Sequence, residues 1–317
     1  MELRTLGNTG LEVSRLALGT MTWGRLTDEH EARDQFSTFL DAGGTLVDTA
    51  AGYGDGAAES LLGGFLGDLV GSVGRDEVVI ATKAGISRRG GARSVNTSRG
   101  FLLRSLDASL ARLGVDHVDL WQVHVWSEVT PLEETLSALD LAVSSGRAAY
   151  VGVSNYTGWQ TARAATLAGF GSGFGLASTQ VEYSLLNRDV EFEVLPAAGA
   201  MGMGVLAWSP LASGALTGKY RTGIPSDSRG ATNDWGPRVE SYLDDRGRGI
   251  VEAVVRAAEG LDWTPAQVAL AWLRDRPGVT APILGARTAA QLRSLLEVER
   301  FTLPVELAHA LDDVSAP

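Results

Sequence analysis

Four side chains suited to acid–base chemistry lie at or just after the ends of short apolar runs. Asp48 directly follows residues 45–47, Tyr53 lies in the next loop, Lys83 ends the run that starts at residue 79, and His124 follows residues 118–123. An ammonium at the end of an apolar strand is costly unless it is paired, and Asp48 is the natural partner. A fixed cation also favours a phenolate, so it lowers the pKa of a nearby tyrosine from ~10. This pattern predicts Tyr53 as a general acid that is supported by Lys83.

Each of these residues also has a structural interpretation. Asp48 could cap a helix, Tyr53 could be a turn aromatic, and His124 could be a strand-end histidine. Lys83 leaves a second chemistry open, because a lysine inside a barrel can form a Schiff base with a carbonyl substrate, as in a lyase. The nearby Tyr53 and Asp48 favour acid–base catalysis.

The elements that must position these residues alternate along the chain. A short hairpin comes first, with segments 3–6 and 11–13 joined by the turn 7–10. Eight apolar runs then alternate with helical patterns, in which leucines recur every three or four residues. The runs are 16–18, 45–47, 78–81, 118–123, 150–153, 178–181, 205–207 and 281–284. One pattern, which stops before Gly146, begins with a capping box of Thr130 and Glu133 and has Pro131 at the first helical position.

Alternation of strands with helices implies parallel pairing, because parallel strands need long crossovers. We predict an α/β fold, a (β/α)8 TIM barrel with an N-terminal β-hairpin and extra C-terminal helices, as one domain over residues 1–317. A doubly wound sheet would also alternate. It is disfavoured because no G-x-G-x-x-G motif follows a strand, and the nearest match, at residues 202–207, precedes one.

Composition narrows the classes of partner. The 317 residues include 27 Lys and Arg against 38 Asp and Glu, a net charge of −11. An acidic chain disfavours nucleic acid and anionic membranes as partners. The absence of cysteine and the wide spacing of the four histidines disfavour metal and thiol chemistry. The uncharged stretch 194–218 is broken by prolines and glycines, which indicates a buried strand with flanking loops. With no secretory signal in the sequence, we expect a cytoplasmic protein.

Short motifs follow one another along nearly the whole chain. They are Leu18-Gly19-Thr20, Asp48-Thr49-Ala50 with Tyr53, Ala81-Thr82-Lys83, Gln122-Val123-His124, Gly152-Val153-Ser154-Asn155, Gln180-Val181-Glu182-Tyr183, Trp208-Ser209-Pro210-Leu211 and Gly218-Lys219-Tyr220. In this order they resemble the aldo-keto reductases, in particular the bacterial reductases and the potassium-channel β-subunit branch. The resemblance implies hydride transfer from a reduced nicotinamide to a carbonyl carbon. By that resemblance Tyr53 protonates the alkoxide, Lys83 lowers its pKa, Asp48 holds Lys83, and His124 orients the carbonyl oxygen.

The resemblance also implies a cofactor site, for NADP(H) in preference to NAD(H). The matching residues are Gly19, Thr20, Asp48, Ser154, Asn155, Gln180, Trp208, Ser209, Pro210, Leu211, Ser213, Gly214, Leu216, Lys219, Arg229, Gly285, Arg287 and Gln291. Among them, Ser154, Asn155 and Gln180 would bind the carboxamide and Trp208 would stack on the nicotinamide. Amides of residues 209–218 with Lys219 would meet the pyrophosphate, and an arginine suits a 2′-phosphate. One departure is Ser294-Leu295, where many relatives carry Glu-Asn, so the adenine must be held differently.

Aromatic side chains near these motifs predict the substrate pocket. Trp23, Tyr53, His124, Trp126 and Trp235 would line it, with the loop that also carries Asp234 and Gly236. Aromatic walls favour small aldehydes or ketones with an apolar body, and we expect broad specificity. The sequence leaves open whether the protein forms a homo-oligomer. A second hypothesis is a channel β-subunit-like module that binds the cofactor and regulates a partner.

Overall fold

Eight parallel strands close into a barrel in the computed structural model, which describes residues 1–69, 74–89, 92–169, 174–233 and 235–317. Each barrel strand pairs with the next one along the chain, and the last pairs with the first. In chain order, the strands are β1 (Leu3–Thr5), β2 (Glu12–Ser14), β3 (Ala17–Gly19), β4 (Leu46–Asp48), β5 (Val79–Ala84), β6 (Ile86–Arg89), β7 (Ala92–Val95), β8 (Val118–Val123), β9 (Ala148–Ser154), β10 (Leu176–Glu182), β11 (Gly204–Trp208) and β12 (Val279–Leu284). The barrel consists of β3, β4, β5, β8, β9, β10, β11 and β12.

Helices cover the outside of the barrel and follow the strands in alternation. They are α1 (Glu29–Asp41), α2 (Ala57–Asp68), α3 (Arg99–Leu113), α4 (Leu132–Ser144), α5 (Gly158–Gly169), α6 (Val194–Ala200), α7 (Gly236–Glu240), α8 (Asp245–Leu261), α9 (Pro265–Arg274), α10 (Ala289–Leu296) and α11 (Val305–Val314). The predicted (β/α)8 barrel is confirmed, with a strand at each of the eight predicted runs. None of the described helices is long and apolar enough to cross a membrane.

Two apolar layers form because successive side chains of a strand point to opposite faces. On β4, Leu46 belongs to the cluster inside the barrel, whereas its neighbour Val47 belongs to the cluster between strands and helices. The hairpin of β1 and β2 contributes Leu6 and Val13 to the inner cluster. It packs closely on the chain just before β11, since the Asn8 amide donates to the Gly202 carbonyl at 2.7 Å. The inside of the barrel is therefore filled by side chains. In barrels of this kind an active site forms at the carboxyl ends of the strands.

Several local predictions were wrong. The Thr130 capping box does not form: Pro131 itself is the N-cap of α4, without a side-chain cap, because the helix begins one residue later than predicted. A complete capping box occurs instead at α9, where Thr264 and Gln267 cap each other's backbone groups. The stretch 194–218 contains the predicted buried strand, β11, but its first residues form helix α6 rather than a loop. The β6–β7 hairpin had no predicted counterpart.

Candidate active site

A buried ion pair lies at the carboxyl ends of β4 and β5. The Lys83 ammonium donates to both carboxylate oxygens of Asp48, at 2.8 and 2.7 Å, and to the Thr49 carbonyl at 2.7 Å. Lys83 and Asp48 are only 1% and 3% exposed. Gln180 adds a fourth contact, because its amide nitrogen donates to Asp48 Oδ1 at 2.8 Å. All three protons of the ammonium are used, so the pair is fixed and internally satisfied.

The surroundings of Lys83 keep it charged. Burial by itself lowers the pKa of a lysine, but the charge of Asp48 and the neighbouring Tyr53 more than offset it, so the pKa of Lys83 lies above its usual value. A protonated lysine whose three donors are bound has no lone pair for attack on a carbonyl.

Tyr53 begins a short 3₁₀ turn, Tyr53–Gly56, between β4 and α2. Lys83 Nζ lies 5.2 Å from the centroid of its ring, and the His124 ring lies edge-on to it, with 6.0 Å between centroids. Burial raises the pKa of the Tyr53 phenol above its usual value, and the charge of Lys83 offsets this only in part. The predicted net lowering was therefore wrong, since desolvation outweighs the cation. The phenol stays protonated at neutral pH.

His124 is positioned by the backbone on both sides. It directly follows β8, and its amide donates to the Ala84 carbonyl at 2.8 Å. Its carbonyl accepts a hydrogen bond from the Asn155 side chain at 2.9 Å. The chain therefore ties the end of β8 to β5 and to the end of β9, and the imidazole faces Tyr53.

A cavity of about 330 Å³ opens in front of Tyr53 and His124. Its other lining side chains come from the loops after β3, β5 and β11: Met21, Thr22, Arg25, Leu26, Ile86, Arg229, Thr232 and Trp235. Most of these residues were not among the predicted site residues. The rule that barrel sites form from loops after strands could have found Met21 and Ile86, since each lies within two residues of a strand end.

Two tryptophans predicted for the pocket lie elsewhere. Trp23 is 0% exposed, packs against Phe65 and donates to the Gln35 side chain at 3.0 Å, so it is a core residue. Trp126 packs edge-on against Tyr156 and Trp159 and is not among the described lining residues. Of the three predicted tryptophans, Trp235 lines the cavity, together with the predicted Tyr53 and His124. Asp234 lies outside the described residues, and Gly236 is buried at the start of α7.

The residues predicted to hold the nicotinamide gather around the ends of β9, β10 and β11. Asn155 has a left-handed backbone (φ 58°) and accepts a hydrogen bond from the Trp208 indole at 3.0 Å. The buried Ser154 hydroxyl accepts from Asn155 at 3.0 Å. The Arg238 guanidinium lies over the Trp208 ring, 4.8 Å from its centroid. The Gln180 amide nitrogen also donates to Asp48 Oδ1, and its contact with the carboxamide stays a prediction.

Gly19 and Thr20 end β3 beside Asp48. Gly19 is in register with Asp48, and a Cβ there would lie 2.8 Å from the Ile283 side chain, so only glycine fits between β12 and β4. The Thr20 hydroxyl and amide both donate to the Asp48 carbonyl, at 3.2 and 3.0 Å. These two residues support the position of Asp48 from the neighbouring strand.

The segment 209–218 is a tight turn rather than an open cradle. Three of its non-glycine residues, Ser209, Ala212 and Ser213, have positive φ angles of 55°, 47° and 55°. The amides of Ala212, Ser213, Gly214, Leu216 and Gly218 all donate to acceptors within the turn. These amides are therefore bound within the turn, their contact with a pyrophosphate stays a prediction, and Leu216 is a core side chain. Pro210 is buried and Leu211 caps the turn.

What the turn does leave open are polar side chains. The buried Ser213 hydroxyl has no hydrogen-bond partner within the described ranges. A Cβ on Gly214 would lie 2.7 Å from Lys219 Nζ, so the ammonium sits directly on the turn. Lys219 is exposed and otherwise lies over the Tyr220 ring, 5.0 Å from its centroid.

Two arginines extend this cationic region. The Arg229 guanidinium lies over the Trp235 ring at 5.6 Å and has no hydrogen-bond or ion-pair partner among the residues that the structure describes. Burial lowers the pKa of Arg229, and the nearby charge of Arg287 adds to the lowering. Gly285 lies between the end of β12 and Arg229, and the Gln291 side chain accepts from the Arg287 amide at 2.9 Å. A desolvated guanidinium without a counter-charge is typical of an anion site.

Comparisons with known proteins agree with this geometry. Residues 15–316 match the model of the aldo/keto reductase family. The chain belongs to that family. It is 38% identical to the uncharacterized oxidoreductase YrpG of Bacillus subtilis (strain 168), over 99% of this chain and 96% of that protein. It is 37% identical to L-glyceraldehyde 3-phosphate reductase of Escherichia coli (strain K12), over 92% of this chain and 86% of that protein.

A third relative has a different name. The chain is 35% identical to a probable voltage-gated potassium channel subunit beta of Oryza sativa subsp. japonica, over 92% of this chain and 89% of that protein. Family membership and the likeness to reductases make this chain an oxidoreductase of a family that uses nicotinamide cofactors and small carbonyl substrates.

Proposed function

We propose that this protein reduces aldehydes or ketones to alcohols with NADPH, and that Tyr53 is the general acid. The observation that carries the proposal is the grouping of Tyr53 and His124 on one cavity wall, backed by the buried Lys83–Asp48 pair. In the reductive direction Tyr53 donates its proton to the carbonyl oxygen as charge develops there. A developing alkoxide is far more basic than a phenolate, so a protonated phenol with a raised pKa serves as the donor.

The other three residues prepare this step. Lys83 places a fixed positive charge beside the phenol, which stabilises the phenolate left behind. Asp48 keeps Lys83 in place and compensates the positive charge of this buried side chain. His124 points into the cavity beside Tyr53 and orients the carbonyl oxygen by hydrogen bonding. The Schiff-base alternative is disfavoured, because the three ammonium donors of Lys83 are bound.

The residues of the cofactor region fit a dinucleotide with phosphates. The unpartnered Ser213 hydroxyl, Lys219 on the same turn, and Arg229 offer one donor and two cations for anionic groups. When bound, the reduced nicotinamide supplies the hydride. Trp208, held by Asn155 and covered by Arg238, offers its ring as a platform. Arg229 and Arg287 favour NADPH over NADH, since a guanidinium suits the additional 2′-phosphate.

The cavity supports a proposal for the substrate as well. Leu26, Ile86 and Trp235 give it apolar walls, while Tyr53 and His124 supply the polar end. Thr22, Arg25, Arg229 and Thr232 also line the cavity, but most of its wall surface is apolar. We expect small aldehydes or ketones with an apolar body, held with broad specificity.

The decisive experiment is Tyr53→Phe, measured as NADPH oxidation with a panel of aldehydes and ketones. Removing the proton donor should lower kcat/KM on the order of 10²-fold or more, while NADPH binding, followed by its fluorescence, stays within about twofold. Tyr156→Phe is the matched control, because Tyr156 is also buried but packs behind Trp126. Full activity in Tyr53→Phe contradicts the assignment of the acid. A wild type that oxidises neither NADPH nor NADH with any carbonyl contradicts the function.

A further inference from the structure

Glu59 is a fully buried carboxylate that the catalytic scheme does not use. It lies in the first turn of α2, and its side chain is 0% exposed. Thr82 donates to its Oε1 at 2.5 Å, and Arg112 Nε donates to its Oε2 at 2.8 Å. Arg112 comes from the last turn of α3 and also donates to the Ser109 hydroxyl at 3.2 Å. One carboxylate thus joins α2, β5 and α3.

The pair of Glu59 and Arg112, here called the brace, contacts the two segments that carry Lys83 and Tyr53. Thr82 directly precedes Lys83 on β5, so its bond to Glu59 ties the lysine strand to α2. Arg112 lies against Gly56, the last residue of the turn that begins with Tyr53. A Cβ on Gly56 would lie 2.8 Å from Arg112 Cδ and 2.9 Å from its Nε. The Arg112 side chain therefore packs on the backbone of the turn while it binds Glu59.

The turn itself needs such support. Gly54, Asp55 and Gly56 have consecutive positive φ angles of 59°, 54° and 98°. The left-handed region is disfavoured for a non-glycine residue such as Asp55, so a strained conformation persists only where its surroundings hold it. A buried ion pair adds little net stability compared with an apolar replacement, but it defines geometry through directional bonds. A geometric role therefore explains the brace better than a purely energetic one.

We propose that Glu59 and Arg112 are positioning residues for the general acid: they hold the Tyr53–Gly56 turn against β5, so that the phenol stays at Lys83. This inference rests on the proposed function of Tyr53. Its consequence is that loss of the brace slows the chemical step while the substrate and cofactor sites remain intact. An error of about 1 Å in the placement of a reacting group is enough for a large loss in rate.

A second ion pair, which also bonds to β5, provides the matched control. Arg75 Nη2 binds Asp119 Oδ2 at 2.8 Å, and the same oxygen accepts from the Ile80 amide of β5 at 2.8 Å. Its arginine side chain is 25% exposed, against 28% for Arg112. This pair also ties an arginine and an acid to β5, but at the end of the strand away from Lys83.

The test compares Arg112→Met, Arg112→Lys and Arg75→Met in the full chain. Arg112→Met should lower kcat about tenfold and raise the isotope effect with deuterated NADPH, while KM for the carbonyl and Kd for NADPH stay within about twofold. Arg112→Lys should recover most of kcat, since it keeps a cation at Glu59. Arg75→Met should lose thermal stability but keep kcat. Equal losses of kcat in Arg112→Met and Arg75→Met would overturn the inference, because the brace would then be only structural.

A second readout does not depend on activity. The ionisation of the Tyr53 phenol is isolated by ultraviolet titration of each variant against the same variant with Tyr53→Phe. Arg112→Met should shift this titration, because the distance between the phenol and Lys83 changes, whereas Arg75→Met should leave it at the wild-type position. If the wild type reduces no carbonyl, the proposed function fails, and this titration still decides the positioning role. An unshifted titration in Arg112→Met would overturn the inference.

Discussion

The two halves of the site differ in how their charges are satisfied. At the ends of β4 and β5, Lys83 and Asp48 are buried together, and every donor of the ammonium has an acceptor. In the proposed cofactor half, Arg229 is partly buried without a counter-charge among the described residues, and the Ser213 hydroxyl is buried without a partner there. The first half is complete by itself, whereas the second leaves donors that the anionic cofactor proposed above would meet.

This difference separates two physical tasks. A proton donor must be in place before the reaction, so its surroundings are fixed by internal bonds at the cost of burying two charges. A binding region gains affinity by leaving donors unsatisfied until the ligand meets them, and the folded chain is less stable for it. We therefore expect substitutions in the catalytic half to destabilise the protein, and substitutions of cofactor-half cations to weaken binding without destabilising it.

Lys83→Met should have the largest effect. It leaves Asp48 buried without a counter-ion, so the free energy of unfolding should fall by about 3–5 kcal/mol, and the rate should fall on the order of 10²-fold or more. Chemical denaturation and steady-state kinetics measure the two effects. The double variant Lys83→Met with Asp48→Asn removes both charges and should regain part of the stability but none of the activity. A single variant as stable as the wild type would remove the contrast between the halves.

Arg229→Met should give the opposite combination. The affinity for NADPH should fall about ten- to a hundredfold, since a charge-assisted hydrogen bond contributes about 1.5–3 kcal/mol. The thermal midpoint without cofactor should not fall, because a desolvated cation near Arg287 is removed. Arg221→Met is the control: Arg221 is exposed and paired with Glu252 at 2.6 Å, and its loss should change neither quantity appreciably. A clear loss of stability in Arg229→Met would show that this arginine has a structural role.

The smallest effect concerns alkaline pH. Tyr53 and Lys83 both have folded-state pKa values above their ordinary values of 10.0 and 10.5, so each binds its proton more tightly in the folded protein. Their contribution to stability is complete below these ordinary values and is lost as pH rises through the folded values. Denaturation curves from neutral pH to above pH 10 should show this decline, and Tyr53→Phe should show a shallower one. If the decline of stability with pH were equally steep in that variant, it would come from other groups. Tyr242 is one such group, because burial raises its pKa to about 12.

Much of the fold was predictable because it depends on local patterns. The eight apolar runs each became a barrel strand, since strand period and length are written in neighbouring residues. The capping box at Thr130 failed because the start of α4 depends on how Pro131 enters the helix, which a four-residue motif does not specify. Trp23 was misplaced for a similar reason: a tryptophan after a strand can turn toward the cavity or the core, and contacts with Phe65 and Gln35 decide.

By itself the sequence determined the order of the strands and which chemical groups end them, because both follow from residue type and spacing. Only the tertiary structure decided the ionisation and the geometry. The pKa of Tyr53 depends on the balance between burial and the charge of Lys83, and these two residues are thirty positions apart. The brace of Glu59 and Arg112 likewise joins residues from two helices, and no local pattern marks them as partners. Through-space distances set electrostatic energies, and these distances exist only once the chain has folded.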